Sequence, residues 1–538
     1  MQWLARHRRV AFAAICAVWV WIVLSGYFYP AIPFLALPWH GEQAFEDLLR
    51  NIGRTTAARD DMLFIGIDQS SLEMPPLSPE ELANNRAFQL MTERPYPWSR
   101  ELWALLLERL CGAGARLVMF DMIFNKPYDG DANFHDALDH YRDRVVLGEN
   151  FDSQNSYQLV VPNQDLIPPP AEDDDRVGYV NYFPDLDGTL RTARFYVTDR
   201  MLAGLPPHPS AKVYRSLATR ALLKLGDGNA VIRDERDHPF RFTANETYQP
   251  IPLYQVFDPK FWHANYHDGE IFKNKIIVVG ASSQIQHDFA NTPMNPDTPG
   301  PVIHLEVIAA AQAKEWLHGL RPRFVFGLII IGAALAWAIV TLLRRPLISL
   351  GLVAAICVGY AFTAYAAYNH SGLFLATVPV LATFLLSGAS TIGIDYALER
   401  MEKLRTRRTL ERYVSKNLVK EILENPRGYY NSLKGTRMPA TMLFSDLVGF
   451  TTLSEHADPE ELVRQLNEYL SAMTVVVFQN EGTLDKFIGD AIMAVWGNVK
   501  SQGLASDAKA CARTAVGMRK ELKRLNDGWK TEGRMTLG

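Results

Sequence analysis

The sequence predicts a multidomain protein that combines an α/β domain, four transmembrane helices and a smaller C-terminal α+β domain. Its 538 residues exceed what one hydrophobic core usually organises. Four apolar runs are long enough to cross a bilayer, although the mean hydropathy of -0.07 resembles that of a globular protein. The long segment 31–323, between the first and second runs, alternates strand-like and helix-like patterns, which is typical of an α/β layer domain.

Charge and cysteine content argue against two classes of protein. The formal net charge is -4 and the pI is near 6.4, whereas a nucleic-acid-binding protein usually carries a basic face, so we expect no nucleic-acid partner. Of the 4 cysteines, only Cys111 lies in segment 31–323. A disulfide framework within that segment is therefore excluded.

The first apolar run predicts a membrane anchor. Residues 1–9 form a short basic N-terminus, and residues 10–30 form the first transmembrane helix, with tryptophans and tyrosines that are typical of membrane interfaces. The alternative is a cleaved signal peptide. Against it, the run is longer than usual and no convincing small-x-small cleavage site follows.

Three later runs predict transmembrane helices at 324–343, 347–368 and 373–395. Arg344 and Arg345 separate the first two of these, and a basic run at 399–408 follows the last. The positive-inside rule then places the N-terminus, the Arg344–Arg345 turn and everything after the last helix in the cytoplasm, with 31–323 outside. A buried hairpin of core helices is the alternative, but it does not explain the charge asymmetry.

Within the outer segment, strand patterns at 62–68 and 116–121 flank an amphipathic helix at 101–110. Asp68, Asp121 and Asp288 stand at or just after strand-like runs, where open α/β folds often bind ligands. Capping and turn roles are the commoner reason for such aspartates.

Six short motifs follow one another through this segment. They are Ile67-Asp68, Pro97-Trp98-Ser99-Arg100, Gly112-Ala113-Gly114-Ala115, Phe120-Asp121, Asp187-Gly188-Thr189-Leu190-Arg191 and Lys275-Ile276-Ile277-Val278-Val279-Gly280-Ala281. In this order they resemble the CHASE2 domain, a bacterial extracytoplasmic sensor domain. The resemblance implies that 31–323 senses an extracytoplasmic signal, which the sequence does not identify, and that the protein lies in a bacterial inner membrane.

A signalling helix and linker are predicted at 396–437. Leu410, Val414, Leu418 and Ile422 recur every four residues, so the helix has one apolar face. We predict a dimeric stalk; a helix packed on its own domain is the alternative.

The C-terminal segment 438–538 begins with an apolar strand pattern at 441–444, which ends in Ser445 and Asp446. A helix is expected to begin nearby, because Thr452 and Glu455 have the spacing of a capping box. A carboxylate at this position suits a divalent cation bound together with a triphosphate, since free amides at a helix start receive phosphate oxygens. A simple helix cap is the alternative.

Two further strand patterns, at 482–488 and 491–496, are joined through Gly489 and Asp490. This pair predicts a tight hairpin with Asp490 at its tip. If the tip lies beside Asp446, the two carboxylates can share two divalent cations. A turn residue without further role is the alternative.

Three stretches of the segment carry a second resemblance. They are Phe444-Ser445-Asp446-Leu447-Val448-Gly449-Phe450-Thr451, Leu466-Asn467-Glu468-Tyr469-Leu470 and Asp485-Lys486-Phe487-Ile488-Gly489-Asp490-Ala491-Ile492-Met493. They resemble the class III adenylyl and guanylyl cyclases, which implies a ferredoxin-like α+β catalytic domain and a phosphorus–oxygen lyase activity. The resemblance further implies the roles of individual groups: Asp446 and Asp490 bind two Mg²⁺ or Mn²⁺ ions, the backbone carbonyl of Leu447 adds a ligand, and the amides of Val448, Gly449, Phe450 and Thr451 bind phosphates.

By the same resemblance, Lys486 recognises the purine. An ammonium group donates to N1 of adenine, which is an acceptor, but not to the N1–H of guanine. ATP is therefore the predicted substrate and cyclic AMP the product. A surface lysine on a strand is the alternative.

The resemblance also implies a second purine-selecting residue and an Asn and Arg that stabilise the transition state, all expected beyond Gly538. Sites of this family form at a head-to-tail dimer interface, so we predict a homodimer and expect this chain alone to be nearly inactive. A guanylyl cyclase and a catalytically incomplete membrane receptor or inhibitory partner are the alternatives. A diguanylate cyclase or histidine kinase is not supported, because the sequence contains neither a Gly-Gly-Asp-Glu-Phe run nor a histidine-kinase ATP motif.

Overall fold

A computed structural model describes residues 8–32, 34, 36–152, 157–343, 346–410, 437–498 and 501–538. It divides the chain into two compact units, Met1–Thr391 and Ile392–Gly538. Arg344, Arg345 and most of the predicted signalling helix and linker lie outside the described residues, so the interpretation of the stalk stays a prediction.

The first unit contains fifteen α-helices among the described residues. They are α1 Arg8–Phe28, α2 Leu37–Ile52, α3 Gln69–Glu73, α4 Pro79–Asn84, α5 Arg86–Glu93, α6 Glu101–Gly112, α7 Asp131–His140, α8 Asp199–Leu202, α9 Leu217–Lys224, α10 Leu253–Phe257, α11 Pro259–Ala264, α12 Gly300–Ala313, α13 Pro322–Leu342, α14 Pro346–Ser371 and α15 Val378–Leu410, whose end lies in the second unit.

The strands of the first unit form one large sheet and several short pairs. They are β1 Met62–Ile67, β2 Leu117–Ile123, β3 Val145–Asp152, β4 Gln158–Val160, β5 Val177–Tyr179, β6 Thr192–Ala193, β7 Tyr196–Thr198, β8 Val213–Arg215, β9 His238–Pro239, β10 Pro250–Pro252, β11 Ile276–Ala281, β12 Phe289–Ala290, β13 Thr298–Pro299, β14 His318–Gly319 and β15 Leu373–Phe374. The large sheet has the order β10-β1-β11-β2-β3-β4, and β5 pairs with β3.

The centre of this sheet is parallel and covered on both faces. β11 pairs in parallel with β1 and with β2, and all six of its residues are buried. One face packs against α6, and the other packs against α9 and α12. The α/β pattern predicted for the outer segment is therefore present, and continuous apolar runs such as β11 are typical of parallel strands buried on both sides.

Asp68 caps a helix, which is a common role for an aspartate that follows a strand. Its carboxylate caps α3, accepting hydrogen bonds from the amide of Ser71 at 2.9 Å and from the hydroxyls of Ser70 and Ser71. Asp121 and Asp288 differ from Asp68, because neither caps a helix.

Four described helices are long and apolar enough to cross a membrane: α1, α13, α14 and α15. Three of them begin within two residues of the predicted positions. The fourth begins at Val378 rather than at residue 373, because Leu373 and Phe374 instead pair as a short parallel strand with His318 and Gly319. This strand pair ties the turn between α14 and α15 to the chain that enters α13.

Helix α2 is the main element that sequence patterns did not reveal. Glu42 in this helix is 1% exposed, and its carboxylate accepts hydrogen bonds from the amides of Thr377, at 3.0 Å, and Val378, at 2.6 Å. These amides belong to the start of α15, where a helix has no partners of its own for its first N–H groups. Helix α2 therefore supplies the cap of the fourth apolar helix.

Arg241 makes a second connection between the α/β domain and the apolar helices. Its guanidinium donates to the backbone oxygens of Arg54, at 2.6 Å, and Tyr368, at 2.8 Å, and it stacks over the Tyr368 ring. Glu315 forms an ion pair with it at 3.1 Å. Because Tyr368 lies near the end of α14, the buried arginine joins that helix to the sheet domain.

The second unit is an α+β layer. Its described elements are β16 Thr441–Ser445, α16 Phe450–His456, α17 Pro459–Gln479, β17 Thr483–Ile488, β18 Ala491–Trp496 and α18 Leu504–Thr531. The antiparallel sheet has the order β16-β18-β17. Helices α17 and α18 pack on one face, around a core that includes Met473, Trp496 and Trp529.

The capping box predicted at Thr452 and Glu455 is wrong. Helix α16 begins at Phe450, and Gly449 precedes it with a φ of 71°, a left-handed conformation that glycine adopts without steric cost. No side chain caps the helix.

Candidate metal and nucleotide site

The three-stranded sheet brings the two predicted metal-binding aspartates to one edge. Ser445 pairs with Ile492, and Ile488 pairs with Ala491, so Gly489 and Asp490 form the turn of the hairpin. Asp446 directly follows β16 at the same end of the sheet. The hairpin with Asp490 at its tip is present as the Gly-Asp pair predicts.

A hydrogen bond fixes the hairpin tip against the residue after Asp446. Oδ2 of Asp490 accepts from the amide of Leu447 at 3.2 Å. Asp446 is exposed and Asp490 is half-buried, so solvent reaches both side chains. The two carboxylates and the Leu447 backbone are therefore neighbours on an accessible edge.

Tyr469 is a neighbour of both carboxylates that the sequence did not single out as a site residue. Burial raises the pKa of this phenol, and the charges of Asp490 and Asp446 raise it further. The tyrosine is 3% exposed and remains a neutral part of the core at physiological pH. Its helical spacing from Leu466 and Met473 indicated a core position, but not its proximity to the carboxylates.

The edge has the chemistry of a magnesium site that is completed by substrate. Two carboxylates and one carbonyl are oxygen ligands, and Mg²⁺ commonly takes one or two carboxylates with water and phosphate oxygens. Within the described ranges there is no group of three or more His, Cys, Asp or Glu side chains arranged to hold a metal ion. The residues present fit a hard cation that shares its ligands with a triphosphate.

The loop between Leu447 and α16 contains the amides predicted to receive phosphates. The amide of Val448 donates to the backbone oxygen of Gly538 at 3.0 Å, so this donor is already engaged. Gly449, Phe450 and Thr451 lie at the start of α16.

Lys486 lies on an accessible face of the sheet. It pairs with Met493, which also pairs with Phe444, and directly paired residues of a sheet share a face. Its side chain is 61% exposed, and its Nζ lies 3.5 Å from Oδ2 of Asp485. Phe444 and Met442 are also exposed, so the lysine lies among apolar side chains.

The stretch 466–470 has a structural role in the described residues. Glu468 accepts from Nε1 of Trp529 at 3.1 Å and forms an ion pair with Arg534 at 3.1 Å. These contacts join α17 to α18 and to the chain that follows α18.

A family model described as the CHASE2 domain matches residues 15–343, which is more than half of the chain. The chain belongs to the CHASE2 domain family. A second family model, the adenylate and guanylate cyclase catalytic domain, matches residues 434–538. Both resemblances drawn from the sequence motifs are confirmed, and the candidate metal and nucleotide site described above lies within the residues that match the cyclase domain.

Curated relatives that are named as cyclases match part of this CHASE2 protein. Adenylate cyclase 1 of Rhizobium meliloti is 33% identical over 125 residues, 23% of this chain and 18% of that protein. The adenylate cyclase of Anabaena cylindrica is 32% identical over 152 residues, 28% of each chain. Retinal guanylyl cyclase 2 of Bos taurus is 31% identical over 119 residues, 22% of this chain and 10% of that one. The match spans less than a third of the length of each of these relatives.

Two solved structures are similar over a fifth of the chain. The adenylyl cyclase CyaB from P. aeruginosa is 36% identical with a TM-score of 0.18, covering 19% of this chain and 54% of that one. The guanylyl cyclase Cya2 is 39% identical with a TM-score of 0.18, covering 19% of this chain and 51% of that one.

Proposed function

We propose that the protein is a membrane receptor adenylyl cyclase, which converts ATP to 3′,5′-cyclic AMP and pyrophosphate under the control of its CHASE2 sensor. The observation that carries the proposal is the hydrogen bond from the Leu447 amide to Asp490, which brings the two carboxylates to one accessible edge within a cyclase domain. Relatives named adenylate cyclase support the choice of reaction.

Asp446, Asp490 and the Leu447 carbonyl would hold two Mg²⁺ or Mn²⁺ ions. When bound, such ions make the ribose 3′-OH more acidic and neutralise the triphosphate charge. The contribution of this chain is to keep two carboxylates at a fixed separation, with Leu447 anchoring the hairpin tip. Positioning and charge, rather than covalent chemistry by the protein, then carry the reaction.

A homodimer is part of the proposal. Met442 and Phe444 are 53% and 64% exposed on the sheet face that also carries Lys486. Contiguous exposed apolar side chains mark interaction surfaces. A second copy of the chain is the occupant that we propose for this face.

The reaction can be tested with two proteins. One is the 538-residue chain, and the other is the same chain joined to the part of the catalytic domain that follows the matched segment in Rhizobium meliloti adenylate cyclase 1. Purified in detergent with Mg²⁺ and ATP, the joined protein should make cyclic AMP, and the 538-residue chain at least about a hundredfold less, since transition-state groups supply several kcal/mol. If the joined protein is folded and dimeric but makes no cyclic AMP, the cyclase proposal is contradicted. If the 538-residue chain is as active as the joined protein, only the expectation that this chain alone is nearly inactive is contradicted.

Lys486→Glu should move the substrate preference of the joined protein from ATP toward GTP. The acceptor carboxylate loses the hydrogen bond to adenine N1 and gains one from guanine N1–H, so the ratio of kcat/KM for ATP to that for GTP should fall about ten- to a hundredfold. Lys509→Glu, which makes the same charge change at an exposed position on α18, is the control. An unchanged ratio would leave Lys486 as a surface lysine and reopen the guanylyl cyclase alternative.

For the receptor, we propose the predicted topology: the CHASE2 sensor outside a bacterial inner membrane and the cyclase domain in the cytoplasm. Helix α15 is the last apolar helix before the cyclase domain in the sequence, and its start is held by Glu42. Asp47, five residues further along α2, forms an ion pair with Arg191 of the sensor at 2.6 Å. Helix α2 would therefore pass a movement of the sensor to α15.

Glu42→Ala should weaken the attachment of α15. The amides of Thr377 and Val378, one buried and one partly buried, lose their carboxyl acceptor, which costs on the order of 3 kcal/mol, so the melting temperature of the detergent-solubilised chain should fall by several degrees. Glu42→Gln keeps one acceptor oxygen, so its melting temperature should fall by less than half as much as that of Glu42→Ala. Equal melting temperatures for Glu42→Ala and the unchanged protein would show that the cap is not needed.

A further inference from the structure

A cleft of about 960 Å³ opens at the carboxyl ends of the parallel strands in the CHASE2 domain. Its lining includes Ile67 at the end of β1, Ile123 at the end of β2 and Asn150 near the end of β3. Open α/β sheets bind ligands at this edge, and the volume is within the range of small-molecule sites. The position of the cleft alone therefore makes it a candidate binding site.

Two carboxylates without hydrogen-bond donors line this cleft. Asp121 lies in β2 opposite Gly280 of β11, and Asp288 lies just before β12. Among the described residues neither carboxylate accepts a hydrogen bond, and the only ion-pair contact is that of His304, whose Nε2 lies 3.5 Å from Oδ2 of Asp121. The Asp121 side chain is 6% exposed, so its carboxylate has lost most of its water without gaining a donor from the protein.

The fold holds Asp288 tightly in this position. A Cβ atom on Gly300 would lie 2.6 Å from Oδ1 of Asp288, so only glycine leaves room for the carboxylate at the start of α12. The amide of Gly300 donates to the Asp288 backbone oxygen at 3.0 Å, and its own oxygen accepts from the Tyr182 hydroxyl at 2.7 Å. Burial, and then the Asp121 carboxylate, raise the pKa of Asp288 to about 7.

The rest of the lining includes aromatic residues and Arg100, together with Lys126, amide side chains and apolar residues. Trp98 and Trp103 are 1% and 2% exposed, and the guanidinium groups of Arg94 and Arg100 already lie over the Tyr128 ring, at 4.8 and 5.9 Å from its centroid. Arg100 is 7% exposed; its Nη1 makes no hydrogen bond within the described residues, although it lies 3.4 Å from Oδ1 of Asp131. The cleft thus combines a pair of carboxylates that lack hydrogen-bond donors with a guanidinium that has one nitrogen without a hydrogen bond among the described residues.

We propose that this cleft binds a small organic molecule through a primary ammonium group, which the Asp121 and Asp288 carboxylates receive. An ammonium supplies the three donors that the paired carboxylates lack. Arg100 lines the same cleft, so a carboxylate on the same ligand would pair with its guanidinium. A divalent cation fits less well, because the described residues of the sensor offer no group of three metal-ligating side chains. The proposal concerns the sensor alone and does not rest on the cyclase activity.

Calorimetric titration of the detergent-solubilised full chain tests this binding. The probes are phenethylamine, putrescine, lysine and phenylalanine, with N-acetylphenethylamine as the uncharged counterpart. At least one amine should bind saturably, and Asp288→Asn and Asp121→Asn should each weaken that binding at least about tenfold. Asp297→Asn removes an exposed carboxyl of the same type and should change nothing. Melting curves without ligand show whether each variant is folded.

The amines also distinguish the role of Arg100. Binding of phenylalanine but not of phenethylamine supports the proposal with a carboxylate at Arg100, and binding of both supports it through the ammonium alone. No binding by any of the four amines, equal binding by N-acetylphenethylamine, or undiminished binding by both asparagine variants would overturn it. Displacement of the amine by Mg²⁺ or Ca²⁺ at micromolar concentrations would likewise overturn it in favour of a metal site.

The affinity should also depend on pH. Bound ammonium favours the ionised pair, so binding releases a proton and the affinity should rise between pH 6 and pH 8. The titratable groups around the pair are Asp121 on β2, Asp288 itself, His304 on α12 and Tyr182, whose pKa burial raises well above its ordinary value. An affinity that falls with rising pH would contradict ammonium binding by this pair.

Discussion

Asp490→Asn is expected to reduce cyclic AMP formation by about a thousandfold or more in the protein joined to the Rhizobium meliloti cyclase segment. If Asp490 is one of two carboxylates that hold the metal ions, as proposed, replacing it removes several kcal/mol of charge stabilisation in the transition state. The asparagine oxygen can still accept from the Leu447 amide, so the hairpin should keep its position. Cyclic AMP formed from ATP with Mg²⁺ or Mn²⁺ measures the effect, and Asp446→Asn should behave in the same way.

The 538-residue chain itself offers a second measurement. Electron paramagnetic resonance should detect Mn²⁺ bound in the presence of ATP, and both asparagine variants should lose this signal. Asp485→Asn is the matched control, because Asp485 lies in the same hairpin and contacts only Lys486, at 3.5 Å, among the ion pairs of the described residues. Wild-type turnover by Asp490→Asn would remove the metal assignment, whatever the Mn²⁺ spectra show.

The CHASE2 domain should lose stability as the pH rises from about 4.5 to about 8. Glu149 and Glu306 are 1% and 6% exposed, and each has an Oε2 without a hydrogen-bond partner among the described residues. Burial raises the pKa of both side chains to about 8. A carboxyl with a raised pKa in the folded state binds its proton more tightly there, so its stabilising contribution is complete below the unfolded-state pKa and disappears as it ionises.

The double variant Glu149→Gln/Glu306→Gln should reduce this loss by on the order of a few kcal/mol, since one pKa unit corresponds to about 1.4 kcal/mol. Melting temperatures of the solubilised chain between pH 5 and pH 9 measure the slope. Part of it should remain, because burial also raises the pKa of Glu42, Glu46 and Asp288. Glu73→Gln/Glu270→Gln removes two exposed carboxyls and should leave the slope as it was. If the melting temperatures of both double variants depend on pH with the same slope, Glu149 and Glu306 are excluded as the source of the pH dependence.

Local patterns were sufficient where the structure depends on neighbouring residues. The four long apolar helices follow from length and hydropathy, and the hairpin at Asp490 follows from two strand patterns joined by Gly-Asp. The strand that contains Asp121 was also predicted, because its apolar run is continuous. In each of these cases the residues that decide the conformation lie within one element or one turn.

Partners that are distant in the sequence account for what was missed. Helix α2 has no long apolar run, and its role depends on Glu42 meeting Thr377 and Val378. The pairing of Asp121 with Asp288 depends on β11 lying next to β2, a crossover that no local pattern specifies. The fourth apolar helix begins later than predicted because Leu373 and Phe374 pair with a strand made earlier in the chain.

The cap that Glu42 gives to α15 has a consequence for assembly during synthesis. The chain makes the acceptor first and its two amide donors 335 and 336 residues later. Until α15 emerges, a carboxylate that is 1% exposed in the finished protein has none of those donors and must stay hydrated. Formation of the contact between α2 and the start of α15 is therefore a late step in biogenesis, completed only when the last apolar helix has been made.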